Sequence, residues 1–405
     1  MEIIEKIKTN KLVENQTEIQ KICLDKLQSS PLPNPRSELW RLSNKSKFSN
    51  FLEYSVNEKD LKFDTPYPKN SHNTVRLTIG QNCQIELIEE NFSIKQLSED
   101  ELNKYIKEQI ACFDQNENWS DLLNLSLSCK KNILGLRING SIIPPIEIFS
   151  HASSKSLNAK TLVIFLEKNC DIELLQVNLG KENSSLSQST FFFLEENSSL
   201  NHGIVSFGKN GSNLLNSLNV IQQKNSEYNL GSLHFKFNYA RFEINITQSE
   251  GHAKTNIKGM QITKKDEQIS TYTKINFNGP NGFLDQVNKS LADDKSHAIF
   301  EGSIIVPKIA QKTDASQLSR NLLLSDYAQI DTKPQLEIIA DDVKCKHGAT
   351  VSQLNEEELF YMRTRGITLA EASKLQLSSY FQEIISFIPV SKDRWDLLDK
   401  ILNEN

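Results

Sequence analysis

The chain has 405 residues, which admits either one elongated domain with smaller attachments or about three globular units. With 38% hydrophobic residues, 24% charged residues and 20 Phe, it is too apolar for a disordered chain and too polar for a membrane-spanning one. The balance of 46 Lys and Arg against 51 Asp and Glu gives a net charge of −5 with no long run of one sign, so nucleic acid is not the default partner.

From 1 to 130 the text reads as a mostly helical accessory domain. Its first residues carry Glu2 and Glu5, lack an apolar run of signal length and show no Arg before Arg36. The expectation is therefore no signal or transit peptide, and a cytoplasmic protein. Ile3 and Ile7, then Ile19, Ile22, Cys23 and Leu27, recur at helical spacing, interrupted by Pro31, Pro33 and Pro35 and again by Pro66 and Pro68. Residues 74–89 alternate and predict two short strands. Ser98-Glu99-Asp100-Glu101 is a capping box that predicts a helix from about 99 through Leu102, Tyr105, Ile106 and Ile110.

From 131 to 344 the pattern changes to short strands separated by Asn, Ser and Gly. Residues 162–179 and 190–207 align without gaps at an offset of 28, which sets Phe165 on Phe193, Leu166 on Leu194, Asn169 on Asn197 and Ile172 on Leu200. Asn82 to Leu87 echoes Asn169 to Leu174. A strand, a polar corner with Asn available for left-handed backbone geometry, and another strand are what a β-solenoid requires. On pattern alone, a β-sandwich with chance similarity stays open as well.

The period becomes helical again over 345–405. Asn355 caps a helix opening on Glu356-Glu357-Glu358, and Gly366 suits its exit. Thr368-Leu369-Ala370-Glu371 is a second capping box, opening a helix through Leu375, Tyr380 and Ile384, with Pro389 after its end. Ser391 then starts a short helix with Trp395, Leu398 and Leu402 on one face.

Little of this carries catalysis. Six cysteines, Cys23, Cys83, Cys112, Cys129, Cys170 and Cys345, lie far apart with no C-x-x-C, so spacing yields neither a disulfide framework nor a self-contained metal site. Most are expected to be buried small hydrophobes. Walker A, Rossmann, H-E-x-x-H and G-x-S-x-G patterns are missing.

Residues 300–326 (FEGSIIVPKIAQKTDASQLSRNLLLSD), 333–354 (KPQLEIIADDVKCKHGATVSQL) and 359–367 (LFYMRTRGI) resemble the signature of the SufB/SufD family of iron–sulfur cluster assembly proteins. The likeness extends more weakly to NHGIVSFG at 201–208 and to Glu38-Leu39-Trp40-Arg41, which is similar to the family's E-x-W-R element. SufB members usually carry an additional cysteine cluster in their N-terminal part, and its absence here makes the chain closer to SufD.

The resemblance implies a right-handed parallel β-helix flanked by N- and C-terminal helical domains. It implies a non-enzymatic scaffold subunit that pairs with SufB through the β-helix and docks the ATPase SufC, which binds ATP and Mg, through the C-terminal helices. A SufB-like subunit carrying the cluster itself is the alternative within the family, and the resemblance leaves room for a homodimer in isolation and does not decide whether flavin binds. A β-helix enzyme acting on polysaccharide is disfavoured because no paired carboxylates align at the 28-residue offset. The family pattern is departed from at 266–290: Gln268 and Phe277 stand where relatives tend to have histidines, and Asn288 where Tyr is frequent, so roles of those family residues are not carried over.

Cys345 and His347 are one residue apart, so an extended segment turns both side chains to one face. A thiolate and an imidazole suit iron or zinc, yet they number two, and further ligands have to come from another chain or from sulfide. From the residues alone, a buried Cys beside an exposed His is the favoured reading, since free Cys is among the most buried residue types. The resemblance implies that the pair lies near the SufB interface, where iron or a transient cluster assembles, while none is held stably by this chain alone. Lys344 and Lys346 are expected to lower the thiol pKa, with Asp341 and Asp342 opposing, although a polar turn is the simpler role for the two aspartates. His72, His151, His202, His234, His252 and His297 are scattered and read as surface or hydrogen-bonded residues. Phe360, Tyr361, Arg363, Arg365 and Gly366 fit either a helix capping the end of the solenoid or a SufC docking surface with arginines at its rim.

Overall fold

A computed structural model describes residues 17–29, 38–56, 74–80, 86–114, 117–389, 396, 397 and 401. The helix expected at Ile3 and Ile7, the prolines at 31–35 and 66–68, Asn82 to Ile85, His72, and Trp395, Leu398 and Leu402 lie outside them.

The centre of the molecule is a β-solenoid of two facing parallel sheets. Ten-residue strands follow one another, among them β6 (Leu157–Leu166), β7 (Asp171–Gly180), β8 (Ser185–Leu194), β10 (Asn213–Gln222), β12 (Tyr239–Gln248), β14 (Gln268–Phe277), β16 (His297–Val306), β17 (Asp314–Leu323) and β18 (Gln329–Ile338), with β9 (Ser199–Phe207), β11 (Glu227–Phe235), β13 (Lys254–Thr263) and β15 (Phe283–Ala292) between them. Even-numbered strands together with the third strand stack in one sheet of ten, and the remaining odd-numbered strands in another of nine. The repeat read at 28 residues is this stacking: Phe165 pairs with Phe193 and Ile172 with Leu200. Asn169 and Asn197 do occupy left-handed corners, at φ 61° and 60°, and the Asn197 Nδ2 donates to Asn169 Oδ1 at 3.2 Å. Inward-facing Ile164, Phe192, Leu218, Ile244, Ile275 and Ile304 belong to one continuous apolar core between the sheets, the arrangement that period-2 patterning with both faces covered demands.

The strands before residue 131 join this solenoid. β1 (Val75–Thr78) pairs in parallel with β5 (Ile146–Ala152), whereas β2 (Glu86–Ile88) and β3 (Phe92–Gln96) extend the even sheet beyond β4 (Ile133–Gly140) in antiparallel fashion. At the other end, β19 (Lys344–Ser352) closes the odd sheet.

Helices cover the outer faces. Helices α1 (Glu18–Ser29), α2 (Lys45–Phe51), α3 (Glu99–Cys112) and α4 (Trp119–Leu127) lie on the even sheet, where Trp40, Phe48, Trp119 and Leu123 pack with Leu157, Val163, Phe191 and Tyr239. The expected capping box of α3 forms, Ser98 Oγ accepting from Glu101 N and Glu101 Oε2 from Ser98 N. Helices α5 (Glu356–Thr364) and α6 (Leu369–Phe387) follow the solenoid. Both expected caps are present, at Asn355 and in the Thr368–Glu371 box, and Gly366 takes φ +85° at the exit of α5. Phe381, Ile384 and Ile385 of α6 pack on Val205, Leu233 and Met260 of the odd sheet.

Two glycines, Gly203 and Gly231, paired across β9 and β11, make room for the end of α6: a Cβ at Gly231 would stand 2.9 Å from Phe387 O. Gly231→Val is expected to lower the unfolding free energy by about 1–3 kcal/mol through overpacking, read by denaturant titration; wild-type stability would mean that α6 is not seated there.

Asp121 of α4 is fully buried and accepts hydrogen bonds from Ser189 Oγ (2.7 Å), Ser217 Oγ (2.9 Å) and Asn219 Nδ2 (3.0 Å). Burial nevertheless wins over these bonds and pushes its carboxyl up to about 6. A carboxyl whose pKa rises on folding destabilises the fold in its ionised form, so the penalty is absent below pH 4 and complete above pH 6. Asp121→Asn is therefore expected to gain stability relative to wild type as pH rises through that window, and a difference constant between pH 4 and 7 would contradict it.

Candidate functional site at the open end of the solenoid

Among the described residues, strands β18 and β19 each pair on one side only, so the last turn presents its backbone edges and its lumen outward. Cys345 and His347 sit here. Cys345 pairs with Ala315 and His347 with Gln317 of β17. Cys345 packs against the interior core, and Gln317 points across the lumen to Gly302 of the facing sheet while donating to Gln286 Oε1 at 2.9 Å. Alternation therefore turns Cys345 and His347 to the lumen, as their spacing predicts. Cys345 is half-buried, whereas His347, with no further turn above it, is exposed.

The expected lowering of the thiol pKa is not found. Burial, followed by the negative charge of Asp314, raises the Cys345 pKa; the Lys344 and Lys346 side chains point to the opposite face of the strand. Metal capture must then release the thiol proton, so cluster or metal loading through Cys345 is expected to increase with pH above neutrality, measured as bound iron under anaerobic conditions; a flat profile would argue against thiolate ligation. Asp341 and Asp342 lie in the corner between β18 and β19, where Asp342 N donates to Gln311 Oε1 at 2.9 Å. Among the described residues no three His, Cys, Asp or Glu side chains converge as a metal site.

Phe360 and Tyr361 are 68% and 59% exposed, and α5 buries none of its residues. The reading in which this helix caps the solenoid core is thereby overturned: α5 leans on α6, where Gln376 Nε2 donates to Asn355 O and Glu358 Oε2, both at 3.1 Å. Arg363 and Arg365 are exposed beside them, and Arg365 Nη2 donates to Tyr361 Oη at 3.2 Å. Lys289 fixes α6 to the sheet, its Nζ lying 2.8 Å from Glu383 Oε2 and 2.9 Å from Tyr380 O.

The three departures at 266–290 are structural. Gln268 ties the N-terminal segment down, accepting from Asn44 N (2.8 Å) and donating to Leu42 O (3.1 Å); Phe277 is in the core and Asn288 is buried. Of the histidines expected to be at the surface or hydrogen-bonded, three are not at the surface, and the hydrogen-bonded alternative holds for His202. His151, His202 and His234 are buried, and burial lowers each to about 3; His202 Nδ1 is 2.9 Å from Tyr228 Oη. Cysteine burial holds for Cys23 and Cys170, but Cys112 is exposed and Cys129 and Cys345 are intermediate.

The solenoid from β5 onward, the open edge and most of α6 coincide with one family model, "SUF system FeS cluster assembly, SufBD core domain", matched over residues 149–380. The chain belongs to the SufBD family. Its curated relatives agree. It is 41% identical over 152 residues to an iron–sulfur cluster assembly SufBD family protein of Synechocystis, covering 38% of this chain and 34% of that one. To the iron–sulfur cluster assembly protein SufD of Escherichia coli it is 40% identical over 141 residues, 34% of this chain and 33% of the other. To the chloroplastic protein ABCI7 of Arabidopsis thaliana it is 37% identical over 150 residues, 37% and 32% respectively. These matches span about a third of the length of each relative. No described helix of this SufBD-family chain is long and apolar enough to cross a membrane.

A charged cluster on the outer face of the even sheet is not evident in the sequence reading. Arg241 is 2% exposed, held between the rings of Trp40 and Tyr272 at 3.9 and 3.7 Å from their centroids, and its Nε lies 2.5 Å from Glu243 Oε1. The available signal was the pair of opposite charges two residues apart inside an apolar strand, which places both on one face.

Proposed function

We propose that this chain is a non-catalytic scaffold subunit of cytoplasmic iron–sulfur cluster assembly that pairs with SufB through the open end of its solenoid and docks SufC through α5 and α6. The observation that carries this reading is the unpaired edge of β18 and β19, with Cys345 and His347 facing the lumen beside it. Exposed parallel edges are a ready template for another chain. Two donors on one strand leave a four-coordinate centre incomplete, so a partner or sulfide completes it. The cluster is cargo held between chains in transit, while ATP and Mg belong to SufC. The reading in which this chain turns over no substrate alone is tested by assaying ATPase, hydrolase and lyase activity of the purified chain.

Co-expression with SufB and SufC followed by size-exclusion chromatography tests the assembly: co-elution of all three is the expected result, and separate elution of this chain overturns it. Phe360→Ala with Tyr361→Ala is expected to release SufC but not SufB. Because α5 buries nothing, the melting transition should move by no more than about 0.5 kcal/mol. Retention of SufC by that variant would move the docking surface elsewhere.

A further inference from the structure

We propose that the cleft between the Glu38–Trp40 turn and the outer face of the even sheet binds a small organic cation carrying an ammonium or guanidinium group, with Glu301 as its counter-charge. The cleft encloses about 300 Å³, the lower end of the range for small-ligand pockets. Five carboxylates line it, Glu38, Glu117, Glu243, Glu301 and Glu337, against two cations, Arg241 and Lys274. Both cations are committed: Arg241 to Glu243 at 2.5 Å and Lys274 to Glu117 at 2.6 Å. Lys333, the strand neighbour of Glu301 in β18, is taken by Glu38. Glu301 and Glu337 are left over.

Glu301 is the decisive residue. It is 8% exposed, yet its carboxylate has neither a hydrogen bond nor an ion pair with any described residue. Removing a carboxylate from water without a hydrogen-bonding partner is costly; the charges of Lys333, Arg241 and Arg41 offset part of that cost from a distance, but the first two are paired with Glu38 and Glu243 and none of the three forms an ion pair with Glu301. The floor holding it is rigid, since Glu243, Tyr272 and Glu301 stand in register on β12, β14 and β16. The remaining polar lining includes Asn245, Thr273 and Gln335, whose oxygens accept from N–H groups. A metal ion is the poorer fit, because no three of its customary ligands converge among the described residues. An ammonium or guanidinium supplies both the charge and several donors.

Agmatine, which carries both groups, is the probe, titrated calorimetrically into the full chain. One saturable site is expected. Glu301→Gln is expected to weaken it about tenfold or more, the scale of a lost hydrogen bond to a charged group, while melting no lower than wild type, since a neutral isostere replaces an unpartnered charge. An absence of saturable binding to wild type, or wild-type affinity in Glu301→Gln, overturns the proposal. Should Glu301→Gln fail to fold, Glu337→Gln on the exposed rim takes its place: weaker binding supports the site and unchanged affinity overturns it.

Discussion

The complex of SufB and SufC with the Cys345→Ser, His347→Ala double variant is expected to carry at least about tenfold less iron and sulfide than the wild-type complex. Loss of groups that merely orient metal ligands already costs 10–100-fold in other metal sites, and these two are proposed as ligands. Folding and complex formation should survive. His347 is exposed and adds little to the core, so His347→Ala alone should melt with wild type. Cys345 packs against the solenoid interior, and exchanging its thiol for a hydroxyl costs about 1–3 kcal/mol of desolvation, so the melting transition of the double variant belongs beside its visible absorbance and iron and sulfide content. Equal cluster content in both complexes would assign Cys345 and His347 purely structural roles.

Arg241→Met should have the largest effect on the isolated chain, lowering its unfolding free energy by about 3–5 kcal/mol, the range for breaking a buried ion pair from one side. Methionine keeps much of the apolar stem between Trp40 and Tyr272, but it leaves the buried Glu243 without its counter-charge. The Oε2 of that carboxylate has no partner among the described residues even in wild type, so Arg241 carries its compensation alone. The Arg241→Met, Glu243→Leu pair should recover most of the loss, because a well-packed apolar replacement of both charges leaves nothing unpaired. Chemical denaturation of wild type and the two variants measures this, and a double variant as unstable as the single would show that packing, and not charge, holds the N-terminal helices there.

How far the sequence reveals this fold depends on the length of the solenoid corners. Between β6 and β8, and again between β8 and β10, the pairing offset is 28 residues, and there the repeat is visible by eye. Afterwards Asn213 pairs with Tyr239 at an offset of 26, Tyr239 with Gln268 at 29, and His297 with Gln329 at 32. Strand length is held near ten by the width of the sheet, whereas corners can gain residues without disturbing the core, so the period dissolves while the structure continues. The caps at Ser98, Asn355 and Thr368 were legible because a cap is a local interaction between residues three apart. Cys345 and His347 were legible as sharing a face, since that follows from the period of a strand. The raised Cys345 pKa was not, because Asp314 and the core that bury it approach from another turn. For the same reason Glu301 looked ordinary: its lack of an ion pair arises from the pairing of Lys333 with Glu38, 295 residues apart.

The two ends of the solenoid are unlike. One finishes in full-length parallel strands with free edges, β18 and β19, while the other finishes in the antiparallel β3 and β2 and the four-residue β1. A subunit of this shape is a terminator as well as a template. In the proposed pairing, stacking edge to edge uses the one matched pair of long free rungs among the described residues, and the described strands of the far end offer a third molecule no such pair. Filaments require a head that fits a tail; under the proposed pairing heads meet heads, so growth through this edge stops after a single event, and the first chain to arrive, SufB or a second copy, decides the product.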